Sequence, residues 1–549
     1  MLRRAWKPLA ATTVLIGTPS YLYYQFTKPQ TFDLAVKVRG ADGKPVMATR
    51  TFSLLSKDAI RDRLIKNATS DSFSRPESTI WHYATASVAA NDPLEDAHAD
   101  AIIARDPSDP SAPGDWLFFT VMDGHGGPHT SRLLSKTLIS AVVLELSSLI
   151  HHTDGVPSSG FLENLKSIFR TSSPKLSEDP QNPERIALAI QNAFTKLDRE
   201  LINAPLSVLA ANLDAESIKK NILPDLSKHP LALQTMLPAV SGSCALMAVF
   251  DTAHRHLYVA CSGDSRAVAG IWEENDDGHG SWRVEVLSED QTGRNPNELK
   301  RFVKSINFQS SLTLAALRIQ SEHPPNEADS VIRAGRILGG LEPSRAFGDA
   351  RYKWPREVQD VLSRAFLVGN DQPLRPPPSS FKTPPYVTAT PVVTHRGFDF
   401  GGIARPSRSP ASRFVVLATD GLWDKLSSED VVALVGGHLK GLKGVIPKTA
   451  LSDLVPTTSG APTVEGKDKK RNKIGDSWSF EEENISSHLI RNAFGGGDVE
   501  GLRKLISIPA PFARSYRDDT TVTVVWWVDG QEGNAQATTL SSGNIKAKL

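Results

Sequence analysis

Phe118 to Gly127 reads "FFTVMDGHGG": an apolar run ends in a carboxylate, Asp123, and an imidazole, His125, set among three glycines. Aromatic and β-branched residues predict a buried strand over Trp116–Met122. Such a strand carries Asp123 and His125 at its end. Gly124 lets the main chain approach a ligand closely, and Gly126 and Gly127 permit a tight exit into a helix starting near Pro128. From Thr130 to Ile150, Leu133, Leu134, Leu138, Val142, Leu146 and Leu149 recur at three-to-four spacing, which predicts an amphipathic helix.

Working outward, further strands are predicted at Ile80–Ala89, Cys244–Phe250, Leu257–Ser262, Ala267–Trp272, Phe414–Ala418 and Thr520–Val528. A second helix is predicted over Glu184–Leu201, with Ile186, Ile190, Phe194 and Leu197 on one face. Strands spread along the chain with two long helices early suit an α+β layered sandwich better than alternating βαβ units. Pro205–Pro238, Arg375–Pro385 and Val455–Lys473 have loop-like composition, the last ending in the basic cluster "KDKKRNK", a solvated loop or a binding patch.

Carboxylates recur where apolar runs stop. Asp264 follows "LYVACSG", Asp420 follows "FVVLAT", and Asp518 and Asp519 precede "TTVTVVWW". Glu95 and Asp96, in "NDPLEDAH", follow the Ile80–Ala89 strand after a turn. Any one of these is equally a turn former or helix cap. Several at the ends of strands packed into one core can converge, and converging carboxylates repel unless a cation neutralises them. Oxygen-only ligands select a hard ion, Mg²⁺ or Mn²⁺. His125, in a glycine turn, can protonate a leaving group near neutral pH.

The 549 residues, 40% hydrophobic and 22% charged, allow one large or two ordinary domains. A net charge of +1 provides no field for nucleic acid or an anionic membrane. Cys244 and Cys261, the only cysteines, form no zinc pattern; they read as buried thiols, with a cross-strand pair as the alternative. Arg3, Arg4 and Lys7 precede an apolar stretch from Pro8 to Phe26, and no acid appears before Asp33. This is the make-up of a mitochondrial presequence, either retained as a single membrane anchor or cleaved. The closing Ala547-Lys548-Leu549 is a variant of the Ser-Lys-Leu peroxisomal address.

"LEDAH", "VMDGHGG", "CSGDSRAV", "LATDGLWDKL" and "RDDTTVTVV" together resemble the signature motifs of the metal-dependent protein serine/threonine phosphatases of type 2C. "GRILGGLEPSRAFGDARYKW" (Gly335–Trp354) and Asn91 in "AANDPLEDAH" are similar to the pyruvate dehydrogenase phosphatase-like mitochondrial subgroup of fungi. Most type 2C members carry a phosphate-holding arginine where this chain has Asn91, so the resemblance places Asn91 at the substrate phosphate and calls for a substituting basic residue.

The resemblance implies a four-layer α/β/β/α sandwich with two central antiparallel sheets flanked by helices. It implies two Mg²⁺ or Mn²⁺ ions, with Asp123 bridging them and the Gly124 carbonyl on one. Asp420 and Asp518 complete the other, Glu95 and Asp96 act through waters, and Asp264 marks a third, weaker ion. It further implies a phosphoprotein substrate such as the pyruvate dehydrogenase complex. The alternative is a catalytically inactive, anchored binding protein of the same fold. The expected division is residues 1–27 targeting segment or anchor, 28–75 linker and lead-in, 76–530 phosphatase domain with insertions, and 531–549 tail.

Overall fold

Side chains alternate across the strand Asp115–His125, and that alternation sets the layers. Leu117, Phe119 and Val121 enter one apolar cluster, Trp116, Phe118 and Met122 another. The computed structural model of the protein describes residues 30–40, 43–74, 79–105, 114–151, 182–274, 280–296, 323, 327–397, 413–459 and 475–529.

Asp115–His125 lies inside a six-stranded sheet, bonded to Ala97–Ala104 on one side and to Gly242–Asp251 on the other. His256–Ser262 and Val392–Gly397 continue the sheet outward, and Phe347–Gly348 pairs with Gly242–Asp251. A seven-stranded sheet runs Thr457–Ser459, Gly280–Val286, Arg266–Glu274, Arg413–Ala418, Thr520–Asp529, Thr79–Val88, Thr69–Ser74. All pairings in both sheets are antiparallel except that of the short edge strand Thr457–Ser459, which is parallel.

The sheets face each other across Phe119, Leu246, Phe250 and Val259 of one and Trp81, Val415, Leu417, Val525 and Trp527 of the other. The outer face of the six-stranded sheet is covered by helices His129–His151 and Pro183–Ala211 through Leu134, Leu138, Val142, Ile190 and Phe194. Helices Ser428–Leu439 and Ile485–Phe494 cover the other outer face through Val432, Val435, Leu489 and Ile490. This is the expected α+β four-layer sandwich.

Phe250 sits at the middle of the inter-sheet layer, with its ring 5.2 Å from Trp81, 5.8 Å from Trp527 and 6.1 Å from Phe119. No neighbour can collapse into the space without moving a strand. Phe250→Ala is therefore expected to destabilise the fold by about 3–5 kcal/mol, read as a lowered urea midpoint.

One expectation is corrected, that for Pro205–Pro238. Residues 28–75, read as a linker and lead-in, contain the hairpin Thr31–Arg39/Pro45–Ser53, the helix Lys57–Ile65 and the edge strand Thr69–Ser74. Ile60 and Leu64 of that helix are buried in the outer layer. Pro205–Pro238, read as a loop-like insertion, is largely helical, because Pro183–Ala211 continues through Pro205 and Ala232–Val240 follows. Cys244 and Cys261 are free and buried, and the register sets Cys261 opposite Leu246. Among the described residues no helix is long and apolar enough to cross a membrane. The N-terminal segment 1–27, the basic cluster Lys467–Lys473 and the tail 531–549 lie outside the described residues.

Candidate active site

Asp123 lies near the end of the strand Asp115–His125, paired in register with Cys244. Asp264 sits in the turn between His256–Ser262 and Arg266–Glu274. Asp420 opens the short helix Asp420–Trp423, directly after Arg413–Ala418. Asp518 precedes Thr520–Asp529, the neighbour of Arg413–Ala418, and a bond from Thr419 N to Thr521 O (3.0 Å) holds those two ends level. Carboxylate oxygens of Asp123, Asp264 and Asp420 thus lie within 4.8 Å of one another. They line a cavity of about 500 Å³ that Asp518 and His125 also face.

The cluster is electrostatically strained. Burial, then Asp420, Asp96, Asp264 and Asp518, pushes the Asp123 carboxyl well above the usual carboxylate range. Burial and Asp420 push Asp518 up to about 8 although Arg514 opposes them, and Asp96 is raised by burial, Asp519 and Asp518. Such repulsion is what a bound cation relieves. Cys244 also lines the cavity, but its thiol donates to Asp264 Oδ1 (3.2 Å), and burial together with Asp264 and Asp123 keeps it protonated. The donors offered are therefore carboxylate oxygens, a set that fits a hard divalent ion.

Two glycines let the acids approach. A Cβ on Gly124 would lie 2.1 Å from the Glu95 carbonyl oxygen, and one on Gly421 would lie 2.2 Å from that of Asp519. Neither position tolerates a side chain without displacing a segment that carries an acid.

Glu95, Asp96 and Asn91 stand behind the cavity wall and do not line it. Glu95 accepts from the Gly127 amide (2.7 Å), which fixes the turn after His125. Asp96 is buried and accepts from the Thr419 hydroxyl (2.9 Å). Asn91, expected at the substrate phosphate, instead donates its side-chain amide to Glu95 (3.2 Å) and Asp519 (3.0 Å). An amide between two carboxylates has its donors committed there. Asp519 anchors the same loop, accepting from the backbone of Ala90, Asn91 and Glu95.

His125 Nε2 lies 2.7 Å from Asp349 Oδ2, a residue 224 positions downstream that sequence reading did not single out. Its signal was the "FGD" of the quoted "RAFGDARYKW" segment. Burial opposes charge on the imidazole, but Asp349, Asp264 and Glu95 outweigh it and hold the pKa above its ordinary value. Asp349 sits in left-handed backbone (φ 47°), with its amide bonded to Ser241 O (2.9 Å). Behind it, the buried Asp198 of the Pro183–Ala211 helix accepts from Gly348 N (2.9 Å) and Lys353 Nζ (2.7 Å). The segment is clamped before it reaches the imidazole. A Cβ on Gly242 would fall 2.1 Å from His125 Nε2, so that residue leaves room for the pair.

The cavity also has basic lining: Arg294, Arg336, Lys425 and Arg514 all face it. Arg294 and Arg336 pair with Glu342. Arg514, four residues before Asp518, pairs with it. Burial works against the Arg514 charge, yet Asp518, Asp420 and Asp123 raise its pKa.

Comparison with known proteins agrees with this architecture. Residues 188–455 match the protein phosphatase 2C family. A protein phosphatase 2C homolog of Schizosaccharomyces pombe is 35% identical over 451 residues, covering 82% of this chain and 80% of the relative. The mitochondrial pyruvate dehydrogenase (acetyl-transferring) phosphatase 1 of Saccharomyces cerevisiae is 34% identical, covering 82% and 69%. The human mitochondrial phosphatase 2 of the same name is 30% identical, covering 83% and 79%. The chain belongs to the protein phosphatase 2C family of metal-dependent serine/threonine phosphatases, within its pyruvate dehydrogenase phosphatase-like subgroup.

Proposed function

We propose that this cavity hydrolyses phosphoserine and phosphothreonine in a mitochondrial phosphoprotein, with the pyruvate dehydrogenase complex as the leading substrate. The observation that carries the chemistry is the convergence of Asp123, Asp264 and Asp420 beside His125. The substrate and compartment rest on the names of the relatives and on the basic, acid-free N-terminus.

Asp123 and the Gly124 carbonyl, with Asp420 and Asp518, would hold two Mg²⁺ or Mn²⁺ ions, Glu95 and Asp96 would act through waters, and Asp264 would serve a third. When bound, the ions supply a water acidic enough to attack phosphorus near neutral pH. The phosphorus–oxygen bond to serine breaks as the new one forms, and the departing alkoxide needs a proton. His125 gives it from Nδ1, because Nε2 is held by Asp349. After donation the ring stays hydrogen-bonded through Nε2, ready to be reprotonated.

With Asn91 turned to carboxylates, Arg514 is the cation best placed to grip the phosphate oxygens, beside Asp518 in the lining of the cavity. A charge-assisted bond of this kind contributes about 1.5–3 kcal/mol, or roughly 10- to 150-fold in affinity. Arg514→Ala is expected to weaken competitive inhibition by inorganic phosphate by that factor without weakening Mn²⁺ binding by calorimetry. Loss of Mn²⁺ affinity instead would mean that Arg514 only supports Asp518.

The decisive experiment is hydrolysis of a phosphoserine peptide with Mn²⁺ and after chelation. Folded protein with no metal-dependent turnover would establish the inactive scaffold in its place.

A further inference from the structure

The first two turns of the His129–His151 helix hold His129, Arg132 and Lys136 and no acid in the first turn. A helix N-terminus favours carboxylates, and like charges at i and i+4, as Arg132 and Lys136 are, repel. Among the described residues neither side chain forms an ion pair; Arg132 reaches only the Leu94 carbonyl (3.5 Å). The arrangement does nothing for the helix.

These side chains rim a groove of about 350 Å³ between this helix and Ala232–Val240. Its floor is apolar, formed by Leu133, Leu233, Leu237 and Pro238, and no carboxylate lines it. The groove and the active-site cavity share no lining residue, but they are close along the chain. His129 is four residues beyond His125, and the Gly126–Gly127 turn between them is tied to Glu95, next to the Leu94 that Arg132 touches. Four residues of extended chain span at most about 14 Å.

We infer that this groove binds an acidic segment of the substrate, an Asp or Glu beside a large apolar residue, a few positions from the phosphoserine. The carboxylate meets Arg132 and Lys136, and the apolar side chain covers the leucine floor. The occupant is chosen by charge complementarity and by the four-residue step from His125 of the cavity to His129 of the groove, and it rests on the phosphatase reading of that site.

The test is the double variant R132E/K136E on full-length protein, with three substrates: a phosphoserine peptide carrying an Asp–Leu pair, the same peptide with Asn for Asp, and nitrophenyl phosphate. The pair is placed before the phosphoserine in one peptide set and after it in another. The expected result is a fall of about tenfold or more in kcat/KM for one acidic peptide only, with the neutral peptide and nitrophenyl phosphate unchanged. Equal losses on acidic and neutral peptides, or no loss, would overturn the inference and leave the groove to another part of this chain or a second copy. Anisotropy of a fluorescent, unphosphorylated Asp–Leu peptide reads the groove without catalysis: binding lost in the double variant supports it, and absence of binding to wild type overturns it. A protein that hydrolyses none of the three substrates yet binds this peptide would refute the phosphatase reading and keep the groove.

Discussion

Asp123→Asn is expected to lower metal-dependent hydrolysis of every phosphomonoester by about 1000-fold or more while leaving the fold intact. The reason lies in the geometry: its carboxylate is the one carried within a strand paired on both sides, with oxygens of both Asp264 and Asp420 within 4.8 Å. A second measurement separates a lost ligand from a damaged fold. The buried Asp123 carboxylate is repelled by Asp420, Asp96, Asp264 and Asp518, and asparagine removes that repulsion. In chelator, the variant should therefore melt at a higher temperature than wild type. On adding Mn²⁺ the order should reverse, because only wild type gains the binding free energy. A variant that melts lower in chelator and also loses activity would show that Asp123 is needed for folding, and its place as an ion ligand would fall.

The strand ends were legible because a buried strand writes its own limits: apolar residues stop where burial stops, and the acids at those limits stand out. Thr69–Ser74 was illegible for the converse reason. As an edge strand with most side chains exposed, "TSDSFS" carries no apolar alternation, and only its pairing with Thr79–Val88 makes it a strand. Pro205 marked a break by propensity, yet its ring is buried in the Pro183–Ala211 helix and packing overrode the signal. Within the site, the acids could be named one by one from the residues, but which of them lines the cavity and which holds a loop could not; only the family resemblance preferred Asp518 to Asp519. Asp518 and Asp519 are adjacent in sequence. One lines the cavity, and the other turns away to bind the amides of Ala90, Asn91 and Glu95. Partners that meet only through the fold, such as Asp349 with His125 and Asp198 with Lys353, leave no local periodicity to read.

That long-range pair yields the sharpest test of mechanism. His125→Ala is expected to slow hydrolysis of a phosphoserine peptide by about 100- to 10,000-fold, the range of general acid catalysis. Nitrophenyl phosphate should lose much less, because nitrophenolate departs without a proton. Asp349 does not line the cavity and meets it through the imidazole, so Asp349→Asn should reproduce the same selectivity at smaller amplitude. Asparagine keeps a hydrogen-bond acceptor 2.7 Å from Nε2 but not the charge that holds the ring protonated. Across aryl phosphates of rising leaving-group pKa, rates should fall more steeply in both variants than in wild type. A purely structural role for Asp349 predicts equal losses on all leaving groups. Equal losses in His125→Ala would remove His125 as proton donor, whatever happens at Asp349. The double variant completes the cycle: if Asp349 works only by orienting and charging His125, then once His125 is alanine, adding Asp349→Asn should cost nothing further.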